Sequence, residues 1–114
     1  MPERLEESLR QTSKRLRALQ AVLRLKILTA LREGGLYQVS VLSQELRVSQ
    51  PLLSWHLAEL RRVGFVAAER SGREVYYRLC EAGIRELLLE LAALLDPALY
   101  PTENSIMEES KDGE

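Results

Sequence analysis

Catalysis, metal binding and nucleic-acid recognition each need particular side chains at spacings that let them converge. This sequence of 114 residues carries one histidine, His56, and one cysteine, Cys80. One of each builds no zinc finger, no thiolate cluster and no disulfide within the chain. Glu86 and Glu90 stand four apart, on one face of any helix that holds them, and read as a solvated face rather than a ligand pair. There is no Ser/His/Asp constellation, no glycine-rich phosphate loop and no pair of carboxylates in an evident pocket. The expectation is therefore a protein that is not an enzyme and holds neither metal nor cofactor. What remains is a set of polar and cationic groups. Ser49 can cap a helix that begins Gln50-Pro51, and a helix N-terminus donates N–H groups to phosphate. A glutamine such as Gln50 can read adenine N6 and N7. Arg70 and Arg73 flank a Ser71-Gly72 connection, at the tip of what reads as a hairpin.

Those groups need elements to hold them. Leu5, Leu9, Thr12, Leu16, Leu19 and Leu23 recur at alternating spacings of four and three, a heptad seam with one polar intruder. From Val22 the apolar set shifts to Leu23, Ile27, Leu28 and Leu31, and it stops at Gly34-Gly35. No strong breaker lies between Glu3 and Glu33, so the stretch reads as one long helical pattern serving an outer seam and then the core. A short helix follows from about Ser40, its expected cap, to Leu46, with Val39, Leu42 and Leu46 inward. The turn Arg47-Val48 leads to a second helix that buries Leu53, Leu57 and Leu60 and ends at Gly64. Two short helices joined by a tight turn form a helix-turn-helix. Residues 65–70 and 73–79 read as paired strands. The last helix, 81–95, is apolar nearly all round through Ile84, Leu87, Leu88, Leu89, Leu91, Leu94 and Leu95, and so needs cover on two sides. A second subunit is the expected cover.

Charge divides the chain. Residues 1–100 hold 15 of the 16 Lys and Arg and 12 of the 17 Asp and Glu, a balance of +3. Residues 101–114 balance at −4, which reads as an acidic, disordered tail. The formal net charge of −1 therefore does not exclude a nucleic-acid partner, because local patches set the field. No apolar run reaches the roughly 18 residues of a membrane span. The N-terminus carries no secretory signal, and a cytoplasmic location is expected.

The stretch Val48-Ser49-Gln50-Pro51-Leu52-Leu53-Ser54-Trp55-His56-Leu57 closely resembles the recognition helix of the ArsR/SmtB family of bacterial repressors, L-S-Q-x-x-x-S-x-H-L. Its continuation through Leu60 to Gly64-Phe65-Val66 resembles that family's x-x-L-x-x-x-G-L-V. Gly72-Arg73-Glu74-Val75-Tyr76-Tyr77-Arg78-Leu79 is similar to the end of the family's wing, and Leu25-Lys26-Ile27-Leu28 with Leu31 to its R-L-x-I-L-x-x-L segment. The match covers roughly residues 20–95, with both motifs in register.

The resemblance implies a mainly α fold, a winged helix-turn-helix in the order α-α-α-α-β-β-α, dimerised through its N- and C-terminal helices. The expected organisation is a single winged-helix domain over 1–97, with dimerisation helices at 1–20 and 81–95, the helix-turn-helix at 40–63 and the wing at 65–79. The tail then runs from 98 to 114. The resemblance also implies a homodimeric regulator, a repressor, that places two recognition helices in an inverted-repeat operator of double-stranded DNA. Its expected DNA-binding residues are Ser49, Gln50, Leu52, Ser54, Trp55, Arg70 and Arg73. Its expected dimerisation residues are Leu5, Leu9, Leu16, Leu19, Leu88, Leu91 and Leu95.

Plainer readings stand beside these. Ser49 is equally an ordinary helix cap. Arg70 and Arg73 are equally a solvated hairpin neutralised by Glu69 and Glu74. His56 reads as a structural, half-buried ring bonded to the backbone or a nearby serine. Trp55 stands where the family carries a polar or basic residue, and three readings stay open: contact with thymine methyls or sugars, packing on its own domain, or a protein-binding face. The third gives a different function, a winged-helix protein–protein module with little DNA binding, resting on the apolar surface of Pro51, Leu52 and Trp55. Relatives that sense metals place a Cys-x-Cys where this chain has Gln38-Val39-Ser40, so no metal site of that type is implied, and no inducer is indicated. Cys80 reads as a small buried residue, with a redox role as the alternative.

Overall fold

The computed structural model describes residues 1–98. The expected acidic tail, 98–114, lies outside the described residues except for Ala98. The opening helical pattern resolves into two helices, α1 (Glu3–Ala18) and α2 (Val22–Leu31). Local sequence carries no breaker there, and the bonds that close the break are made within the segment itself. The last turn of α1 tightens, with the Leu19 and Gln20 amides donating to the carbonyls of Leu16 and Arg17, and Ala21 is extended. The guanidinium of Arg24 then donates to the Ala18 carbonyl at 3.3 Å, satisfying a group left over at the helix end. Turning the chain at this elbow lets Ile27, Leu28 and Leu31 enter the core.

A two-residue strand, β1 (Tyr37–Gln38), precedes α3 (Val39–Leu46). It was not expected, because two residues are too few to show a strand's alternation. Ser40 does not cap α3; Gln38 holds that position, and the Ser40 carbonyl inside the helix accepts from Ser43 Oγ at 2.9 Å. The turn that follows puts Arg47 in the left-handed region, φ 57 and ψ 46. Helix α4 (Gln50–Arg62) starts as its sequence suggested: Ser49 Oγ accepts the Leu52 amide at 3.3 Å, and Pro51 sits in the first turn, where its missing N–H costs nothing. The helix ends at Gly64, φ 84, where the Gly64 amide reaches the Arg61 carbonyl and the Phe65 amide the Leu60 carbonyl, both at 3.0 Å. That double bond pattern needs the left-handed residue that glycine supplies.

Strands β2 (Val66–Ser71) and β3 (Glu74–Leu79) pair antiparallel, and β1 adds to the other edge of β3, giving the order β1-β3-β2. Ser71 pairs with Glu74, so the hairpin connection is Gly72-Arg73 and not Ser71-Gly72. Gly72 has φ 61, which a tight hairpin turn of this kind demands at its first position. Helix α5 (Glu81–Leu95) closes the described chain. Its first turn crosses the end of α4 so closely that a methyl at Gly83 would overlap the Gly64 carbonyl oxygen and lie 3.0 Å from the carbonyl carbon.

The core joins all of these elements. Ile27, Leu31, Leu42, Leu53, Leu57, Leu60, Phe65 and Leu87 are fully buried, and each such side chain stabilises the fold by about 1.5–3 kcal/mol. The fold is a winged helix-turn-helix, mainly helical, with α3 and α4 as its helix pair and the hairpin as its wing. No described helix is long and apolar enough to cross a membrane.

Candidate nucleic-acid interface

Helix α4 divides cleanly into an inner and an outer side. Leu53, Leu57 and Leu60 face the core, which turns Gln50, Pro51, Leu52, Ser54, Trp55 and Ala58 outward. Ser49 and Gln50, at the start, are exposed as well. Leu52 keeps 45% of its surface open and Trp55 56%. The outer side of α4 is therefore a mixed polar and apolar strip on a rigid helix anchored at both ends.

The wing supplies the charge. Arg73 sits in the hairpin turn and Arg70 faces out beside it, opposite Val75. In the plainer reading Glu69 and Glu74 neutralise them, but neither carboxylate forms a direct ion pair with Arg70 or Arg73. Glu69 pairs with Arg78 at 3.5 Å, and Glu74 accepts from the Gln38 side chain. Among the described residues neither Arg70 nor Arg73 has an ion-pair partner within 4.0 Å. Two exposed guanidiniums therefore stand at the tip of a two-stranded ribbon with their donors unpaired by any described carboxylate. Arg47, exposed in the turn between α3 and α4, likewise has no ion pair there.

Trp55 is tied to its own domain on one side. The Arg24 guanidinium lies 5.3 Å from the centre of the indole, and the His56 ring meets it edge-on at 4.9 Å. Arg24 Nε donates to His56 Nδ1 at 3.0 Å. The partner of His56 is thus an arginine from α2, not the backbone or a serine. Burial, then the Arg24 charge, pushes the His56 pKa below its usual value of 6.5 and keeps the ring neutral, as an acceptor must be. Arg24 thereby fastens α1, through the Ala18 carbonyl, and α2 to the flank of α4. Sequence reasoning did not find Arg24, because its partners lie six, 31 and 32 residues away with no local pattern to join them.

The leucines expected to pair subunits divide in two. Leu5, Leu9 and Leu16 on α1 are exposed, as are Leu88 and Leu95 on α5, the last at 74%. Leu91 is half-buried, and Leu19 packs against the core of its own chain. Thr12 is buried, with no hydrogen-bond partner for its hydroxyl among the described residues. Glu90 is not a freely solvated residue: it accepts from Arg15 at 2.7 Å, which ties α1 to α5. Cys80 is half-buried at the N-cap of α5, its amide bonded to the Phe65 carbonyl and its sulfur 4.0 Å from an Arg78 nitrogen. Among the described residues no three His, Cys, Asp or Glu side chains gather into a metal-binding group.

Residues 21–68, from the elbow to the start of the wing, match the bacterial regulatory protein domain of the arsR family. The HTH-type transcriptional repressor SmtB of Mycobacterium tuberculosis is 45% identical over 78 residues, which is 68% of this chain and 57% of the repressor. The chain thus spans little more than half that relative's length. The HTH-type transcriptional regulator NmtR of the same organism is 36% identical over 94 residues, covering 82% of this chain and 72% of the regulator. Among solved structures, the homodimeric winged helix-turn-helix DNA-binding domain of a Mycobacterium bovis protein superposes with a TM-score of 0.68 at 27% identity, over 90% of this chain and 94% of that one.

Proposed function

This chain belongs to the ArsR family of bacterial transcriptional regulators, and on that premise we propose that it is a sequence-specific DNA-binding repressor acting as a homodimer on an inverted-repeat operator in the cytoplasm. The observation that carries the reading is the pair of wing guanidiniums, Arg70 and Arg73, without an ion pair among the described residues, on the same chain as the exposed outer side of α4. Phosphate contacts need such free cations, while base edges are read by side chains on a helix that fits the major groove. In this reading Ser49, Gln50, Leu52, Ser54 and Trp55 meet the groove, and the two arginines reach phosphates or the adjacent minor groove. Leu5, Leu9, Leu16, Leu88 and Leu95 meet their copies across a two-fold axis, and the dimer sets the spacing of the two recognition helices at about one helical turn of DNA. The chain is a regulator and performs no catalysis.

The exposure of Leu52 and Trp55 favours a second reading, a protein-binding module built on the same strip. Titrating the protein against a pool of short genomic fragments from its source, at low and moderate salt, separates the two. Selective retention of an inverted repeat by a dimer is the expected result. Weak, unselective binding that vanishes at moderate salt would favour the module.

A further inference from the structure

Beside the recognition helix the elbow between α1 and α2 leaves an open cleft of about 500 Å³. Its walls carry Lys14 and Arg17 from α1, Arg24 from α2, and Trp55, His56 and Arg62 from α4. A single carboxylate, Glu59, lines it as well. That carboxylate is already taken: it accepts from Arg62 at 2.7 Å, and this bond, with the charges of Arg62 and Arg24, holds its pKa below the usual range. Three cations are left over. Among the described residues Lys14, Arg17 and Arg24 have no ion-pair partner. Arg24 spends two of its donors on His56 and the Ala18 carbonyl and keeps the rest of its fork. The neutral His56 cannot supply an anion, and Gln20 adds a polar group. The remaining walls are apolar, from Ala18, Ala21 and the open part of the indole.

A cationic cleft floored by an aromatic ring selects for charge and shape together. Guanidinium and ammonium groups bind carboxylates through charge-assisted hydrogen bonds. An indole that already accepts a cation on its surface offers the rest of that surface to a flat ring. We infer that this cleft is a binding site for a small planar organic anion, an aromatic or heteroaromatic carboxylate, with Lys14 and Arg17 holding the charge and Trp55 stacking on the ring. Lys14 lies on the side of α1 opposite the exposed leucines, so pairing of two chains through Leu5, Leu9 and Leu16 leaves it accessible. Trp55 belongs both to this cleft and to the outer strip of α4, so an occupant takes hold of a side chain that the DNA reading also uses.

Trp55 is the one tryptophan in the sequence, so its fluorescence reports the site directly and without DNA. The full chain is titrated with benzoate, with cyclohexanecarboxylate as a non-planar acid of the same charge, and with inorganic phosphate, at constant ionic strength. The expected result is a saturable change with benzoate, at least tenfold weaker with the other two. The double variant Lys14→Gln with Arg17→Gln, two exposed positions whose loss leaves the core intact by circular dichroism, should weaken benzoate at least tenfold. No saturable change with benzoate, equal affinity for cyclohexanecarboxylate or phosphate, or undiminished binding by the double variant each overturns the site. None of these outcomes touches the DNA reading, which is tested by DNA retention alone.

Discussion

Replacing Arg70 and Arg73 by alanine together tests the proposed interface most directly. Each guanidinium is exposed and, among the described residues, without an ion pair, so its removal breaks no described ion pair. Folding stability should stay within about 0.5 kcal/mol, as for other surface changes. DNA binding should change in a specific way. A phosphate contact releases counterions, and each one steepens the fall of log affinity with log salt by about 0.9. Two contacts per chain make four in a homodimer, so the variant's slope should be shallower by about 3.6. Between 50 and 200 mM salt, the advantage of the parent protein over the variant should therefore shrink by a factor of about 150. Fluorescence anisotropy on a labelled operator, repeated across potassium chloride concentrations, measures both slopes. A drop of about 1.8 would mean that one wing per duplex engages. An unchanged slope, whatever happens to affinity at one salt concentration, refutes the reasoning, because the wing arginines would then release no counterions.

Three further outcomes follow from the geometry. Gly83→Ala adds a methyl against the Gly64 backbone, where no rotamer change can relieve it. The favourable helix propensity of alanine, up to about 1 kcal/mol, offsets part of the cost. Overpacking at rigid backbone should leave a net loss of about 1–3 kcal/mol, read by urea unfolding at fixed protein concentration, and a variant as stable as the parent would contradict the close crossing of α4 and α5. Arg47→Gly should raise stability by roughly 0.5–1 kcal/mol in the same assay, since φ 57 strains any residue with a Cβ; a loss would mean that the arginine side chain makes up for the strain. His56 has a lowered pKa in the folded chain and therefore favours the folded state when neutral. Its contribution is complete above the ordinary value of 6.5 and is lost as pH falls from there through the lowered value. The pH dependence of stability in that window should flatten in His56→Gln, and an unaltered profile would show that another group titrates.

The helix-turn-helix was legible because its signals are local. Ser49, Pro51 and Gly64 act on the backbone within a few residues, and the spacing of Leu53, Leu57 and Leu60 fixes the inner side of α4. The same locality explains the hairpin, and also its error of one residue. Ser71-Gly72 and Gly72-Arg73 both contain the required glycine, and cross-strand pairing of Ser71 with Glu74 decides between them. The pairing of Glu90 with Arg15 and the setting of His56 were not legible, because each depends on a guanidinium from a distant part of the chain; the α1–α2 elbow was not, because no Pro or Gly marks it and the bond from Arg24 to the Ala18 carbonyl has no sequence signature. Gly83 gave no signal either: a glycine in a first helical turn looks like a small cost until another backbone is seen against it. Of the candidate interface, the exposure of the strip on α4 could be read from helical periodicity. The freedom of Arg70 and Arg73 could not, since it turns on where Glu69 and Glu74 go instead.

The crossing at Gly64 and Gly83 makes a pivot. The end of α4 and the beginning of α5, the proposed dimer helix, meet there with the Gly64 backbone directly against Gly83. In the proposed dimer, a reorientation of α5 would reach α4 at its C-terminal end, with the residues proposed to face the groove at the far end of the helix. Thirteen helical residues make an arm of about 19 Å, so a tilt of about 10° would swing Gln50 by about 3 Å. That is close to the rise of one base pair, about 3.4 Å. In the proposed homodimer, a small adjustment where the subunits meet would therefore move the proposed groove-facing residues by a distance comparable to one base-pair step.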